Sequence, residues 1–108
     1  MVSIAKPLVA TVTDLGDRVM ICLAGALDAF GVASAGGALD RAIALGANSL
    51  VIDVEQVSFI DSAGVGFLVS AHRRAIASGK SLVVERAWGH VRKVIEMTGV
   101  DRLVLVAH

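Results

Sequence analysis

Apolar and polar positions change period several times along this chain, and each change marks an element. Leu8 to Thr13 roughly alternates, which suits a half-buried strand. Asp14-Leu15-Gly16-Asp17 supplies turn residues, and Arg18 to Ala24 reads as a second strand, so the first pair is predicted to be an antiparallel hairpin. Gly25-Ala26-Leu27-Asp28 is read as a loop leaving the sheet. From about Ser34 to Leu45 the stripe Ala35, Ala38, Leu39, Ala42 and Ile43 predicts a helix, with Gly46 at its C-terminal cap and Gly36-Gly37 weakening its start.

Leu50-Val51-Ile52-Asp53-Val54 is an apolar run with one acid, the pattern of a central strand covered on both faces. A second helix is predicted from about Ala63 to Ser78, with Val65, Leu68, Val69, His72 and Ile76 on its apolar stripe and Gly79 ending it. Leu82 to Glu85 reads as a fourth strand. A third helix follows from about Gly89 to Met97, with Val91, Val94 and Ile95 inward and Gly99 as its cap, and Leu103 to Val106 is the last strand. The order β-β-α-β-α-β-α-β, without linker or repeat, predicts one α/β domain over residues 1–108 with a mostly parallel sheet.

Composition narrows what such a domain can bind. With 108 residues, 56% of them apolar, the chain can build one core without metal or disulfide staples. Its ten basic and ten acidic residues cancel, which argues against nucleic acid or an anionic membrane held by bulk charge. Cys22 is alone, so no internal disulfide can form, and its apolar run Val19 to Leu23 predicts a small buried core residue. No apolar run reaches the roughly 20 residues of a membrane span, and the N-terminus, with Lys6-Pro7, lacks the apolar core of a signal peptide. A cytoplasmic location is expected.

The junction Phe59-Ile60-Asp61-Ser62-Ala63-Gly64-Val65-Gly66 carries the chemistry. If the helix begins at Ala63, Ser62 is its N-cap, and the positive end of the helix favours an anion such as a phosphate on that hydroxyl. Asp61 opposes the added charge, so a phosphate there would be felt mainly by whatever binds this surface. Ala63, Gly64 and Gly66 keep the first turn bare enough for another protein's backbone to approach. A plain cap is the commoner meaning of such a pattern. Catalysis is poorly supported: the segment lacks the first glycine of a nucleophile elbow, Gly64-Val65-Gly66 lacks the spacing and lysine of a phosphate loop, and no metal-ligand spacing occurs. His72 is read as a satisfied core histidine, His90 and His108 as solvated, and Arg73, Arg74 and Lys80 as a solvated face. Trp88 opens the third helix and is read as core or helix-edge packing.

The segment SLVIDVEQVSFIDSAGVG (Ser49 to Gly66) resembles the signature of STAS domains, specifically stand-alone anti-sigma factor antagonists. Gly25 to Asp28 resembles the family's loop after the second strand, and VRKVIEMTGVDRL (Val91 to Leu103) its last helix and strand. The resemblance spans essentially the whole chain. It implies a non-enzymatic switch without cofactor or metal, in which an anti-sigma factor with serine kinase activity phosphorylates the serine after the aspartate. The unphosphorylated form binds that kinase and frees a sigma factor, and a phosphatase restores it. By position Ser62 is the acceptor, Asp28 and Asp61 lie beside it, and Ala63, Gly64 and Gly66 belong to the docking surface. Ala26 stands where the family usually has glutamate, and Ala63 where many members have a second hydroxyl residue, which leaves Ser62 without a rival acceptor. STAS domains also serve in lipid-transport and stress-signalling assemblies, which implies the alternative of a non-switching scaffold or ligand-binding subunit.

Overall fold

The computed structural model describes residues 6–107, which build a five-stranded sheet in the order β1-β2-β3-β4-β5 with three helices packed on it. His108, and most of the N-terminal stretch behind the signal-peptide expectation, lie outside the described residues. The strands are β1 (Val9–Asp14), β2 (Arg18–Leu27), β3 (Ser49–Ile60), β4 (Ser81–Glu85) and β5 (Leu105–Val106). The helices are α1 (Val32–Ala44), α2 (Ser62–Ala77) and α3 (Gly89–Thr98). β1 and β2 form the expected antiparallel pair, and every later pairing is parallel, so the α/β architecture and element order are as the sequence implies.

β2 alternates cleanly. Val19, Ile21 and Leu23 are buried and join Ala35, Ala38, Leu39, Leu68 and Ala71 in one core, while Met20, Cys22 and Ala24 point to the other face and are half-buried. Cys22 is therefore not the buried core residue that its apolar run suggests. It shares a row across the sheet with Thr11 and Asp53, and desolvation, then the Asp53 carboxylate, raises its thiol pKa. A thiol so placed is a poor nucleophile.

Several features differ from the sequence reading. β2 continues through Gly25-Ala26-Leu27 instead of leaving as a loop, because these residues pair with the far end of β3, Leu27 opposite Ile60. β3 correspondingly runs for twelve residues, whereas β4 pairs only with Ser49 to Asp53. The last seven residues of β3 thus have β2 on one side and, among the described residues, no strand on the other. The C-terminal segment is a 3-10 turn at Val100–Arg102 followed by a two-residue strand, shorter than the predicted Leu103 to Val106.

The fourth difference concerns α2, whose apolar stripe is rotated by one position. The buried residues are Gly64, Phe67, Leu68, Ala71 and Ala75, whereas Ile76 is 59% exposed and Val65, Val69 and His72 are only half-buried flank. Gly64, Ala71 and Ala75 let α2 lie close to the sheet, with Phe67 and Leu68 buried beside them and the β-branched residues left at the side. His72 is not a satisfied core histidine, since its Nδ1 is buried without a hydrogen-bond partner among the described residues.

Candidate functional site

Two parallel strands end side by side, and each is followed at once by an aspartate. Asp28 follows Leu27 at the end of β2, and Asp61 follows Ile60 at the end of β3. Both carboxylates do the same job. Asp28 Oδ1 accepts from the backbone N–H groups of Phe30 (3.0 Å) and Gly31 (2.8 Å), which turns the chain into α1 two residues earlier than the stripe predicts. Asp61 Oδ1 accepts from Ala63 N–H (2.9 Å) and Gly64 N–H (3.1 Å), and its own backbone is extended.

Asp61 is therefore the N-cap of α2, and Ser62 is not. The sequence offers two adjacent residues able to cap. The structure selects the aspartate because β3 persists to Ile60, leaving one residue between strand and helix, and because a carboxylate also complements the positive helix end. Ser62 becomes the first residue of the helix. It is exposed, and no described residue holds its hydroxyl. A free hydroxyl one step from a helix N-terminus is open to a transferase, and a phosphate there would meet the helix dipole favourably but the Asp61 charge unfavourably. An Asp61→Ala protein is expected to be about 1 kcal/mol less stable in denaturant unfolding, since two first-turn N–H groups lose their acceptor.

Gly64 and Gly66 have different surroundings. Gly64 is buried, and a Cβ built on it would stand 2.2 Å from the Leu27 carbonyl oxygen and 2.7 Å from Ile60 Cγ1. Its bareness brings α2 against the ends of β2 and β3. Gly66 is exposed, and a Cβ there would meet nothing within 4 Å. Ala63 is half-buried beside the exposed Ser62. Ala26 is 3% exposed, and its N–H donates to the Lys6 carbonyl (3.0 Å).

Three features near this end carry weak sequence signals or none. Asp53 is 5% exposed, and its Oδ2 accepts from Arg86 Nε (3.1 Å) and Nη2 (2.5 Å) while its Oδ1 accepts from Glu55 N–H (3.0 Å). Arg86 also reaches Glu55 (2.8 Å) and sits at φ 62°, a left-handed conformation that these ion pairs hold in place. Desolvation pushes the Asp53 carboxyl up, but the hydrogen bonds from Arg86 and Glu55 and the Arg86 charge outweigh it and hold the carboxyl below its usual range. An acid inside an apolar run signals that a partner is needed, yet nothing local points to a residue 33 positions away. Trp88 and His90 reach the unpaired side of β3: Trp88 Nε1 donates to the Glu55 carbonyl (2.9 Å), and His90 Nε2 lies 3.4 Å from the Ile60 carbonyl. His90 also stacks on Phe59 at 5.6 Å between ring centroids, so it is engaged as well as exposed.

Among the described residues no group of three or more potential metal ligands occurs, and no helix is long and apolar enough to cross a membrane. Residues 10–106 match the family model described as Mlab, STAS domain. The chain belongs to the STAS domain family. Similar solved structures include the anti-sigma factor antagonist SpoIIAA in its unphosphorylated form, with 24% identity, 93% of this chain and 89% of that chain covered, and a TM-score of 0.75. The phosphorylated form of SpoIIAA from Bacillus matches with 24% identity over 93% and 92% of the two chains at a TM-score of 0.68. An anti-sigma factor antagonist from Mycobacterium paratuberculosis matches with 23% identity over 92% and 84% at 0.76. At these identities the likeness establishes a shared STAS fold.

Proposed function

We propose that this STAS domain is a non-enzymatic anti-sigma factor antagonist switched at Ser62. Unphosphorylated, it binds an anti-sigma factor that is also a serine kinase and so releases the sigma factor. Phosphorylation of Ser62 abolishes that binding, and a phosphatase restores it. The switch works in the cytoplasm, where its partners act. The observation that supports this reading is the division of labour at the junction: Asp61 takes the cap, and the neighbouring serine is left exposed with an unheld hydroxyl. Phosphorylation then changes charge at the surface without removing a bond the fold depends on. Asp28, Asp61, Ala63 and Gly66 frame the acceptor, and Gly64 holds α2 at the height that presents it. The structural relative SpoIIAA exists in both unphosphorylated and phosphorylated forms, which supports the same chemistry for this chain.

Incubation with ATP and the cognate kinase is expected to label wild type once, at Ser62, and to leave Ser62→Ala unlabelled. Ser62→Glu is expected to weaken kinase binding at least tenfold while changing stability by less than about 1 kcal/mol. Equal labelling of Ser62→Ala and wild type would remove Ser62 from its assigned role. A second reading has one observation in its favour, namely that the matching family model carries the Mlab description. In that reading the domain is a non-switching subunit of a transport assembly. Binding to a transporter ATPase subunit, unaffected by Ser62→Glu, would select it.

A further inference from the structure

Three of the four aromatic residues in this chain are exposed, which inverts the usual placement of large apolar rings. Phe30 is 92% exposed, Trp88 65% and Phe59 41%; only Phe67, at 9%, is in the core. All three exposed rings belong to the same end of the parallel sheet. Phe30 lies in the turn after β2, Phe59 is the penultimate residue of β3, and Trp88 lies in the loop after β4. The His90 ring stacks on Phe59 and extends the apolar surface between them.

The surface joining them is concave and continuous. A cleft of about 390 Å³ is lined by Trp88 and His90 and by the free side of β3 from Glu55 to Ser58. It shares Gln56 and Ser58 with a second hollow of about 650 Å³ that contains Phe59. That hollow shares Lys6 and Pro7 with a third, of about 380 Å³, beside Phe30 and Asp28. Trp88 is tied to Glu55, five residues before Ile60, so it stands roughly 16 Å from the strand end. A standard protein interface of ~800 Å² per partner is roughly 30 Å across, enough to take in Trp88, Phe59, Ser62 and Phe30 together.

Charge fixes the kind of occupant. Asp28 lines the hollow beside Phe30, together with Lys6, and Asp61 follows the Phe59-Ile60 end of β3; neither aspartate has an ion-pair partner among the described residues. The neighbouring Arg86 is committed to Asp53 and Glu55. Two unpaired aspartates against Lys6, the one lysine lining these hollows among the described residues, leave an acidic excess beside the exposed rings, which is complementary to a surface with basic groups and apolar pockets.

We propose that Phe30, Trp88 and the Phe59–His90 stack are the anchors by which the serine-kinase partner docks, its basic groups facing Asp28 and Asp61 and its apolar pockets taking the rings. The proposal rests on the Ser62 reading and adds what holds the kinase there. The anti-sigma factor kinases of the organism that encodes this chain, purified and titrated calorimetrically, provide the test. Phe30→Ala and Trp88→Ala are each expected to weaken binding about tenfold or more, as hot-spot truncations do. Met97→Ala, 77% exposed at the opposite end of α3, is expected to leave affinity unchanged. Trp88→Phe keeps an apolar ring but loses the bond to the Glu55 carbonyl, and is expected to retain most of the affinity. Emission of the only tryptophan should shift to the blue on binding. Full affinity in both Phe30→Ala and Trp88→Ala overturns the anchoring proposal and leaves Ser62 phosphorylation standing. Equal losses in Trp88→Phe and Trp88→Ala overturn it for Trp88, because they assign the effect to loop structure. If wild type binds none of these kinases, both the anchoring proposal and the Ser62 reading fall.

Discussion

A Gly64→Val protein is expected to be about 3 kcal/mol less stable than wild type, at the upper end of the cost of overpacking a core. The first obstacle is the Leu27 carbonyl oxygen, 2.2 Å from where a Cβ would stand, and it is backbone paired within the sheet. It cannot swing aside as a side-chain tip can. Relief requires α2 to lift from the strand ends, which strips burial from Leu27, Ile60 and Leu68 and weakens the cap at Asp61. Gly66, two residues on, gives the opposite sign. Its Cβ position is open, so Gly66→Ala should gain about 0.5–1 kcal/mol through helix propensity and a less flexible unfolded chain. Urea unfolding of the two variants separates them. A Gly64→Val protein as stable as wild type would contradict the packing described for this junction.

Asp53→Asn is expected to cost about 2 kcal/mol at neutral pH, the value of charge-assisted hydrogen bonds to a buried carboxylate, discounted because the Arg86 head is largely solvated. The pH dependence follows from the direction of the shift. Asp53 titrates below the usual aspartate value of 3.8 in the folded protein, so its contribution is complete above that value and is lost as the pH falls below about 4 through the folded pKa. Asparagine imitates the protonated acid, and the difference between the two proteins should therefore shrink steadily below pH 4. Thermal melts at pH 7 and at successively lower pH check this. A deficit that stays constant with pH would mean that shape, and not charge, accounts for the substitution.

Much of this molecule was legible in the alternation of its residues, and the exceptions share a cause. Hairpin, strand order and helix number follow from local period, which depends on neighbours in sequence. The misplaced features depend on neighbours in space. Gly25-Ala26-Leu27 reads as a loop until the far end of β3 arrives to pair with it. The predicted stripe on α2, Val65, Leu68, Val69, His72 and Ile76, lies one position from the buried row, Gly64, Phe67, Leu68, Ala71 and Ala75, because glycine and alanines count for little in a pattern of large apolar residues yet allow close approach to the sheet. Asp61 and Ser62 can both cap on paper, and the length of β3 together with the carboxylate's charge decides between them. Arg86 carries no local sign that it completes Asp53. The strand-to-helix turn at Phe59 to Gly66 is legible because its geometry needs nothing remote: an acid, a hydroxyl and small residues lie within eight positions.

The length of β3 has a further consequence. The half that pairs with β4 shares the load of the sheet with neighbours on both sides, while the half that ends at Ile60 relies on β2, and on its other side two aromatic ring nitrogens reach its carbonyls. Residues after β4 can therefore be exchanged without rewriting the ladder beneath them. Duplicated copies of such a domain in one genome can keep a common scaffold and diverge only at the overhanging tip, so that each copy keeps its own partner and ignores the others.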